Sequence, residues 1–250
     1  MSFGIAVAQA ICLGEESPDH VARNALHHAH IAQRAAGEGA TIVVFPELSL
    51  SGYAYSSPSD ALDADDARLA PLRAIAHSHN IEILAGAPVL SDLGLHIGAC
   101  AFHPDGTHTV HTKQYLAHEE QQAYVGGAAR VPFLLGEERI AVAICADVST
   151  PAHARAAADG GATVYVAGSL ISPDDDGRYP EKLRRHAVNH RMLTLFANYA
   201  NDSALYPTNG QSAVWAPSGE RLAVAPERGE ALVIASRAIG GEWRARVIDL

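Results

Sequence analysis

Ile140-Ala141-Val142-Ala143-Ile144-Cys145-Ala146-Asp147 is the stretch on which the reading of this chain turns. Ile140 to Ile144 form an unbroken apolar run with a β-branched residue at every second position, the pattern of a strand buried on both faces. The strand delivers a cysteine at its end, and Pro151 with the alanine-rich segment behind it then opens a helix. In α/β proteins ligands usually sit in the crevice beyond the carboxyl ends of such strands. A thiol at that elbow faces the crevice beside backbone N–H groups that can hold an oxyanion. A nearby ammonium is expected to lower its pKa and raise the thiolate fraction. Cys12 and Cys100 lie among apolar strand residues with no elbow after them, and read as buried structural cysteines.

Outward from this unit, short apolar runs alternate with segments of helical period. Strands are expected at residues 3–10, 41–45, 81–87, 95–102, 107–111, 139–144, 163–167, 194–199, 211–216, 231–235 and 244–248. Helices are expected at 19–36, 65–79, 151–159 and 180–192. Strand-then-helix order through the first two thirds predicts an α/β layered fold. No Pro/Ser/Gly-rich linker and no repeat divides the sequence, so residues 1–250 read as one domain. A chain of this length buries about three quarters of the surface it exposes unfolded and needs no disulfide scaffold.

Two other strand ends carry reactive groups. In Thr41-Ile42-Val43-Val44-Phe45-Pro46-Glu47, Pro46 stops the ladder and throws a carboxylate out at the strand terminus, where partial burial would raise its pKa toward that of a general base. His111-Thr112-Lys113-Gln114-Tyr115-Leu116 places a lysine after a strand, with Glu119, Glu120 and Tyr124 following before Gly126-Gly127. That lysine stands out by composition. Of eighteen basic residues sixteen are arginine, and the only lysines are Lys113 and Lys182. A compact ammonium with a tunable pKa does what a planar, permanently charged guanidinium cannot. Lys182, in the first turns of a helix beside Arg184 and Arg185, reads as part of a solvated face, and Asp174-Asp175-Asp176 as an exposed turn.

Several function classes drop out. The net charge of −10 argues against a nucleic-acid partner, which would show a basic stripe. The N-terminus has no basic n-region or long apolar core, and no stretch reaches the roughly 18 apolar residues of a membrane span, so a cytoplasmic protein without membrane association is expected. Three widely spaced cysteines make neither a disulfide framework nor a zinc ribbon. The fourteen histidines show no HExxH; His27, His28 and His30, and likewise His77 and His79, read as helix-surface residues, and no metal or other cofactor is expected. A papain-like enzyme would need its cysteine early and a histidine late. An isochorismatase-like amidase would need an aspartate near the end of the first strand, where none occurs.

Taken in order, Phe45-Pro46-Glu47-Leu48 with Ser51-Gly52-Tyr53, Lys113-Gln114-Tyr115-Leu116, and Cys145-Ala146-Asp147 with Pro151 resemble the carbon–nitrogen hydrolase family, the nitrilase superfamily. Ala197-Asn198, Gly210-Gln211-Ser212 and Pro217-Ser218-Gly219 extend the resemblance over nearly the whole chain. The resemblance implies a four-layer αββα sandwich and protomers that pair as homodimers or higher homo-oligomers. It implies Glu47 as general base, Lys113 as oxyanion-stabilising cation, Cys145 as nucleophile and the Ala146 N–H as oxyanion donor. A second glutamate follows the lysine in many members; Glu120 matches by register, with Tyr124 four residues on and Gly127 seven, while Glu119 is adjacent. The chain departs from the pattern at Ala146, often aromatic in the family, at Ala152, often glutamate, and at His186-Ala187-Val188-Asn189-His190, where Arg and Glu are usual.

The activity implied is cleavage of a non-peptide carbon–nitrogen bond, with a small-molecule amide giving acid and ammonia through a thioester on Cys145. N-carbamoyl amines and nitriles share the catalytic set. A catalytically inactive metabolite-binding member is the alternative of another class. Tyr53, Tyr55, Ala146, Ser169 and Leu170 are expected to wall the substrate pocket because they follow the strand ends that carry the reactive groups.

Overall fold

Side chains alternate across a strand, and here that alternation builds the layers. The computed structural model describes residues 2–14, 16–17, 19–53 and 60–250. The chain runs β1 (Ser2–Gln9), α1 (His20–Gly37), β2 (Ile42–Val44), α2 (Ala70–His79), β3 (Glu82–Ser91), β4 (Gly94–Phe102), β5 (His108–Thr112) and β6 (Phe133–Leu135). It continues through β7 (Glu138–Ile144), α3 (Pro151–Asp159), β8 (Val164–Gly168), α4 (Arg178–His190), β9 (Leu193–Ala197), β10 (Ala213–Trp215), β11 (Arg221–Val224), β12 (Ala231–Ala238) and β13 (Arg244–Asp249). A seven-stranded sheet has the order β13-β12-β1-β2-β3-β4-β5, and a six-stranded sheet the order β11-β10-β9-β8-β7-β6.

Ile5, Val7, Ile42 and Val44 of the first sheet meet Ile140, Val164, Val166, Leu193 and Leu195 of the second in a core between the sheets. The alternate residues Ala6, Ala8, Val43 and Phe45 face α1 and α2 instead, and Tyr165, Ala167 and Phe196 face α3 and α4. The result is the expected four-layer αββα sandwich. Each sheet has a parallel centre, β1-β2-β3 in one and β7-β8-β9 in the other. A bridge from Ala10 to Tyr199 joins the carboxyl ends of β1 and β9, so these strand ends converge.

Two glycines permit that convergence. A Cβ on Gly168, at the end of β8, would lie 2.6 Å from the Phe45 carbonyl oxygen, and one on Gly86 in β3 would lie 2.3 Å from the Leu48 nitrogen. The turn Phe45-Pro46-Glu47 is thus gripped between the two sheets by bare backbone.

The short edge strands β6 and β11 were not expected from sequence, since three- and four-residue runs carry too little periodicity. Helix α2 is shorter than expected: Asp66 accepts the Arg68 N–H at 2.8 Å and starts a 3₁₀ turn, Ala67–Leu69, ahead of the α-helix. No helix among the described residues is long and apolar enough to cross a membrane.

His28 corrects the helix-surface reading. It is buried in the α1 stripe with Val21, Ala25 and Ala32, because seven residues from Val21 is two helical turns. Its ring stacks on Phe45 at 4.1 Å, and neither ring nitrogen has a hydrogen-bond partner among the described residues. Burial, and then His27, depress its pKa to about 3. Between pH 6.5 and 3 the unfolded chain therefore binds a proton at this site that the folded chain refuses, and folding stability falls as pH falls through that window. Urea midpoints at about pH 7.5 and pH 5 should separate less for His28→Phe than for the wild type; equal separations would remove His28 from the acid response.

Candidate active site

Glu47, Lys113 and Cys145 end three separate segments, after β2, β5 and β7, and the fold brings them into one buried cluster. Lys113 is fully buried, as is Glu47 to within 1%. An ammonium this deep costs several kcal/mol in lost hydration unless it is fully paired. It is paired: Lys113 Nζ donates to Glu47 Oε1 and to Glu120 Oε1, each at 2.6 Å. Glu120, not the exposed Glu119, is thus the second carboxylate. Glu120 is itself fixed by the Tyr53 hydroxyl at 3.0 Å and the Ala117 N–H at 2.8 Å. The Lys113 backbone is pinned to β4 by its N–H to the Ile97 carbonyl, and its own carbonyl accepts the Gly127 N–H at 2.7 Å.

The Glu47 carbonyl accepts the Tyr199 hydroxyl at 2.7 Å, which locks the turn after Pro46. Among the described residues its Oε2 has no hydrogen-bond partner, and the nearby Cys145 thiol helps to hold the carboxyl down. Cys145 has φ +42°, a left-handed conformation that costs a non-glycine residue free energy and recurs at reactive elbows. It opens the 3₁₀ turn Cys145–Ser149, with Ala146 next in the same turn. The sulfur is 3.8 Å from the Leu170 carbonyl oxygen.

Charge and burial set the proton positions. Burial raises the Glu47 carboxyl, Lys113 pulls it back and Glu120 pushes it up, leaving it at about 7. Burial alone would lower Lys113, but Glu47, the Cys145 sulfur and Glu120 hold it charged and above its usual value. Burial and then Glu47 push the Cys145 thiol up, and Lys113 opposes without prevailing. This corrects the expectation of a lowered thiol pKa. The resting cluster holds a protonated thiol beside a carboxyl poised near neutrality, which suits proton transfer during attack rather than a standing thiolate.

The expected wall residues divide. Tyr53 bonds Glu120 and meets the Tyr206 ring edge-on at 5.8 Å. Leu170 presents its carbonyl to the sulfur. Ser169 is fully buried, and its hydroxyl shares a 2.5 Å hydrogen bond with Tyr179, which in turn donates to the Cys145 carbonyl at 3.3 Å, so it braces the Cys145 backbone rather than walling a pocket. Tyr55 lies outside the described residues. Cys12 and Cys100 are buried with raised pKa values, burial being the first cause for both, as structural cysteines should be.

Sequence reading missed Tyr179, Tyr199 and the hydrogen-bonding of Asp147 and Asn198. Asn198 accepts the Ile171 N–H at 2.9 Å and donates to the Ile171 and Gly210 carbonyls, holding the loop after β8. Asp147, a carboxylate two residues past the cysteine, and Asn198, in the Ala197-Asn198 motif, left legible signals; Tyr179 and Tyr199 left none. At the family departures, His186 is buried and bonds the Val148 carbonyl at 2.8 Å, so α4 is tied to the elbow by an imidazole.

The two-sheet αββα sandwich thus holds a buried carboxyl–ammonium–thiol cluster where its strand ends meet. The chain belongs to the carbon-nitrogen hydrolase family, whose sequence model matches residues 5–244. It is 28% identical over 224 residues to the "Hydrolase in pqqF 5'region" of Pseudomonas protegens, covering 82% of this chain and 75% of that protein. It is 26% identical over 215 residues to a nitrilase of Pyrococcus abyssi, covering 82% and 79%. A cysteine-to-alanine mutant of the amidase from Nesterenkonia sp. AN1, solved in complex with butyramide, superposes with a TM-score of 0.83 at 24% identity, covering 94% of this chain and 90% of that one. That likeness shows that the two chains share a fold.

Because Glu120 raises Glu47 and competes with it for Lys113, Glu120→Gln should move the Glu47 titration to lower pH. The pH dependence of Cys145 alkylation reads this shift, and a midpoint that stays put or rises contradicts the coupling.

Proposed function

We propose that the protein is an amidase that hydrolyses small aliphatic amides to a carboxylic acid and ammonia through a thioester on Cys145. The observation that carries this is the fully buried Lys113 ammonium held at 2.6 Å from both Glu47 and Glu120, next to the thiol. Such a cation is arranged for charge that develops on a substrate oxygen, in a site whose low dielectric strengthens it. A metabolite-binding site has no need of a strained cysteine beside a base titrating near 7.

The proposed steps use these groups in turn. Glu47 takes the thiol proton as Cys145 Sγ bonds to the amide carbon, and the carbonyl oxygen becomes an oxyanion facing Lys113 and the Ala146 N–H. The protonated Glu47 gives its proton to the amide nitrogen, the C–N bond breaks and ammonia leaves. Water then attacks the thioester while Glu47 takes its proton, and collapse releases the acid and restores the thiol. Glu120 keeps Lys113 charged and in place throughout. Support for an amide comes from the Nesterenkonia amidase, whose cysteine-to-alanine mutant was solved in complex with butyramide and whose glutamate-to-leucine mutant shows covalent addition of the acetamide moiety of fluoroacetamide at the active-site cysteine.

The deciding experiment is ammonia release from a panel of short aliphatic amides, ω-amides, N-carbamoyl amines and nitriles. Turnover of amides is expected, and release from nitriles or carbamoyl amines alone reassigns the substrate. Activity should fall as pH drops through about 7, because Glu47 must be ionised to accept the thiol proton. An acid limb near the ordinary carboxylate range would exclude Glu47 as base. Lys113→Arg keeps the charge but should lose about 100-fold to 1,000-fold in kcat, as does loss of an oxyanion donor elsewhere. Near-normal turnover would remove Lys113 from the mechanism.

A further inference from the structure

Asp147 is buried to within 1% and touches neither Glu47 nor the sulfur, yet its carboxylate joins the two segments that carry Lys113 and Cys145. Its Oδ1 accepts the backbone N–H groups of Gln114 at 3.0 Å and Tyr115 at 2.9 Å, the two residues that follow Lys113. Its Oδ2 accepts the N–H of Ile144 at 3.0 Å, the residue that precedes Cys145. Lys113 leaves the seven-stranded sheet at the end of β5, and Cys145 leaves the six-stranded sheet at the end of β7. One carboxylate therefore bridges the two sheets at the point where the ammonium and the thiol must meet.

The other anchors of Lys113, to Ile97 and Gly127, fix it within its own sheet and side of the molecule and say nothing of its distance from the elbow. The Ile144 bond also restrains the backbone beside the strained φ of Cys145. His153 lies beside Asp147, with its Nε2 3.7 Å from Oδ2 and its Nδ1 sharing a 2.9 Å hydrogen bond with the Tyr165 hydroxyl. An ionised carboxylate offers only acceptors, and three N–H donors converge on it.

We propose that Asp147 is a positioning residue that sets the Lys113–Cys145 separation across the two sheets. Its bearing on turnover rests on the amidase proposal above, but its effect on the thiol does not. Asparagine at this position can still accept from Gln114 and Tyr115 through its oxygen, but it turns an N–H₂ toward the Ile144 N–H and so releases the elbow.

The test labels the full-length Asp147→Asn protein and the wild type with methyl methanethiosulfonate across roughly pH 5 to 10, and locates the label by mass spectrometry. Cys145 labelling near pH 7.5 should slow by about tenfold, as the thiol loses its placement beside the Glu47 carboxylate that takes its proton. Cys12 and Cys100, buried in different parts of the same core layer, should stay unlabelled in both proteins. An unchanged Cys145 profile overturns the proposal. So does labelling of Cys12 and Cys100 in the variant, which would mark a general loosening of the fold. On an amide turned over by the wild type, kcat should fall by about 100-fold with KM within about threefold. If the wild type turns over no amide, the amidase proposal fails while the labelling still decides the role of Asp147. Hydrogen exchange on the wild type covers the case of a variant that does not fold: the amides of Gln114, Tyr115 and Ile144 should be protected, and fast exchange at Gln114 and Tyr115 overturns the bridge.

Discussion

Everything at the strand ends depends on keeping one ammonium charged where water cannot reach it. Desolvation works against Lys113, and an unpaired charge at that depth would shed its proton. Two carboxylates at 2.6 Å reverse the balance. The same pairing has a second effect: two carboxylates competing for one cation leave Glu47 under-compensated, which is why burial can raise it to about 7 despite the contact. A single lysine facing a single glutamate would give a tight, inert ion pair. The second acid makes the first one available.

That cluster dictates what the scaffold must do. Its members come from positions 47, 113, 120 and 145, on loops leaving two different sheets, so the sheets must stay in register with each other to within a fraction of an ångström. The interlayer core of Ile5, Val7, Ile42, Val44, Val164, Val166, Leu193 and Leu195 supplies the bulk attraction but has little directionality. Direction comes from polar groups spanning the gap: Tyr199 to the Glu47 carbonyl, and Asp147 to the Gln114 and Tyr115 amides. Gly86 and Gly168 allow the approach by leaving no Cβ in the way.

The layers were legible in the sequence because alternation such as Ile5/Ala6/Val7/Ala8 is imposed by two different cores on the two faces of one strand. The convergence of Glu47, Lys113 and Cys145 was legible for a related reason: each terminates an apolar strand with a residue type that a plain strand end does not require. Ser169 and His28 were misplaced because sequence gives a residue's neighbours along the chain, whereas burial of its polar atoms depends on partners far away, Tyr179 for one and the Phe45 ring for the other. The thiol pKa was misjudged for the same reason. An ammonium was correctly expected beside Cys145, but the deeper burial and the opposing Glu47 charge are properties of packing.

The scarcity of lysine also takes on a physical meaning. Lys182 reaches the Ser149 hydroxyl at 2.9 Å from the rim of α4, a contact an arginine could make as well. Lys113 is different. Its three donors radiate from one small nitrogen, so two can be spent on Glu47 and Glu120 while the third remains for an oxygen arriving from elsewhere. A guanidinium spreads its donors around a plane, prefers to meet a carboxylate with two of them at once, and needs more room than a side chain with no exposed surface can give up. In a chain whose other cations are arginine save Lys182, this is the one described position where the geometry of three bonds to a point charge leaves no substitute.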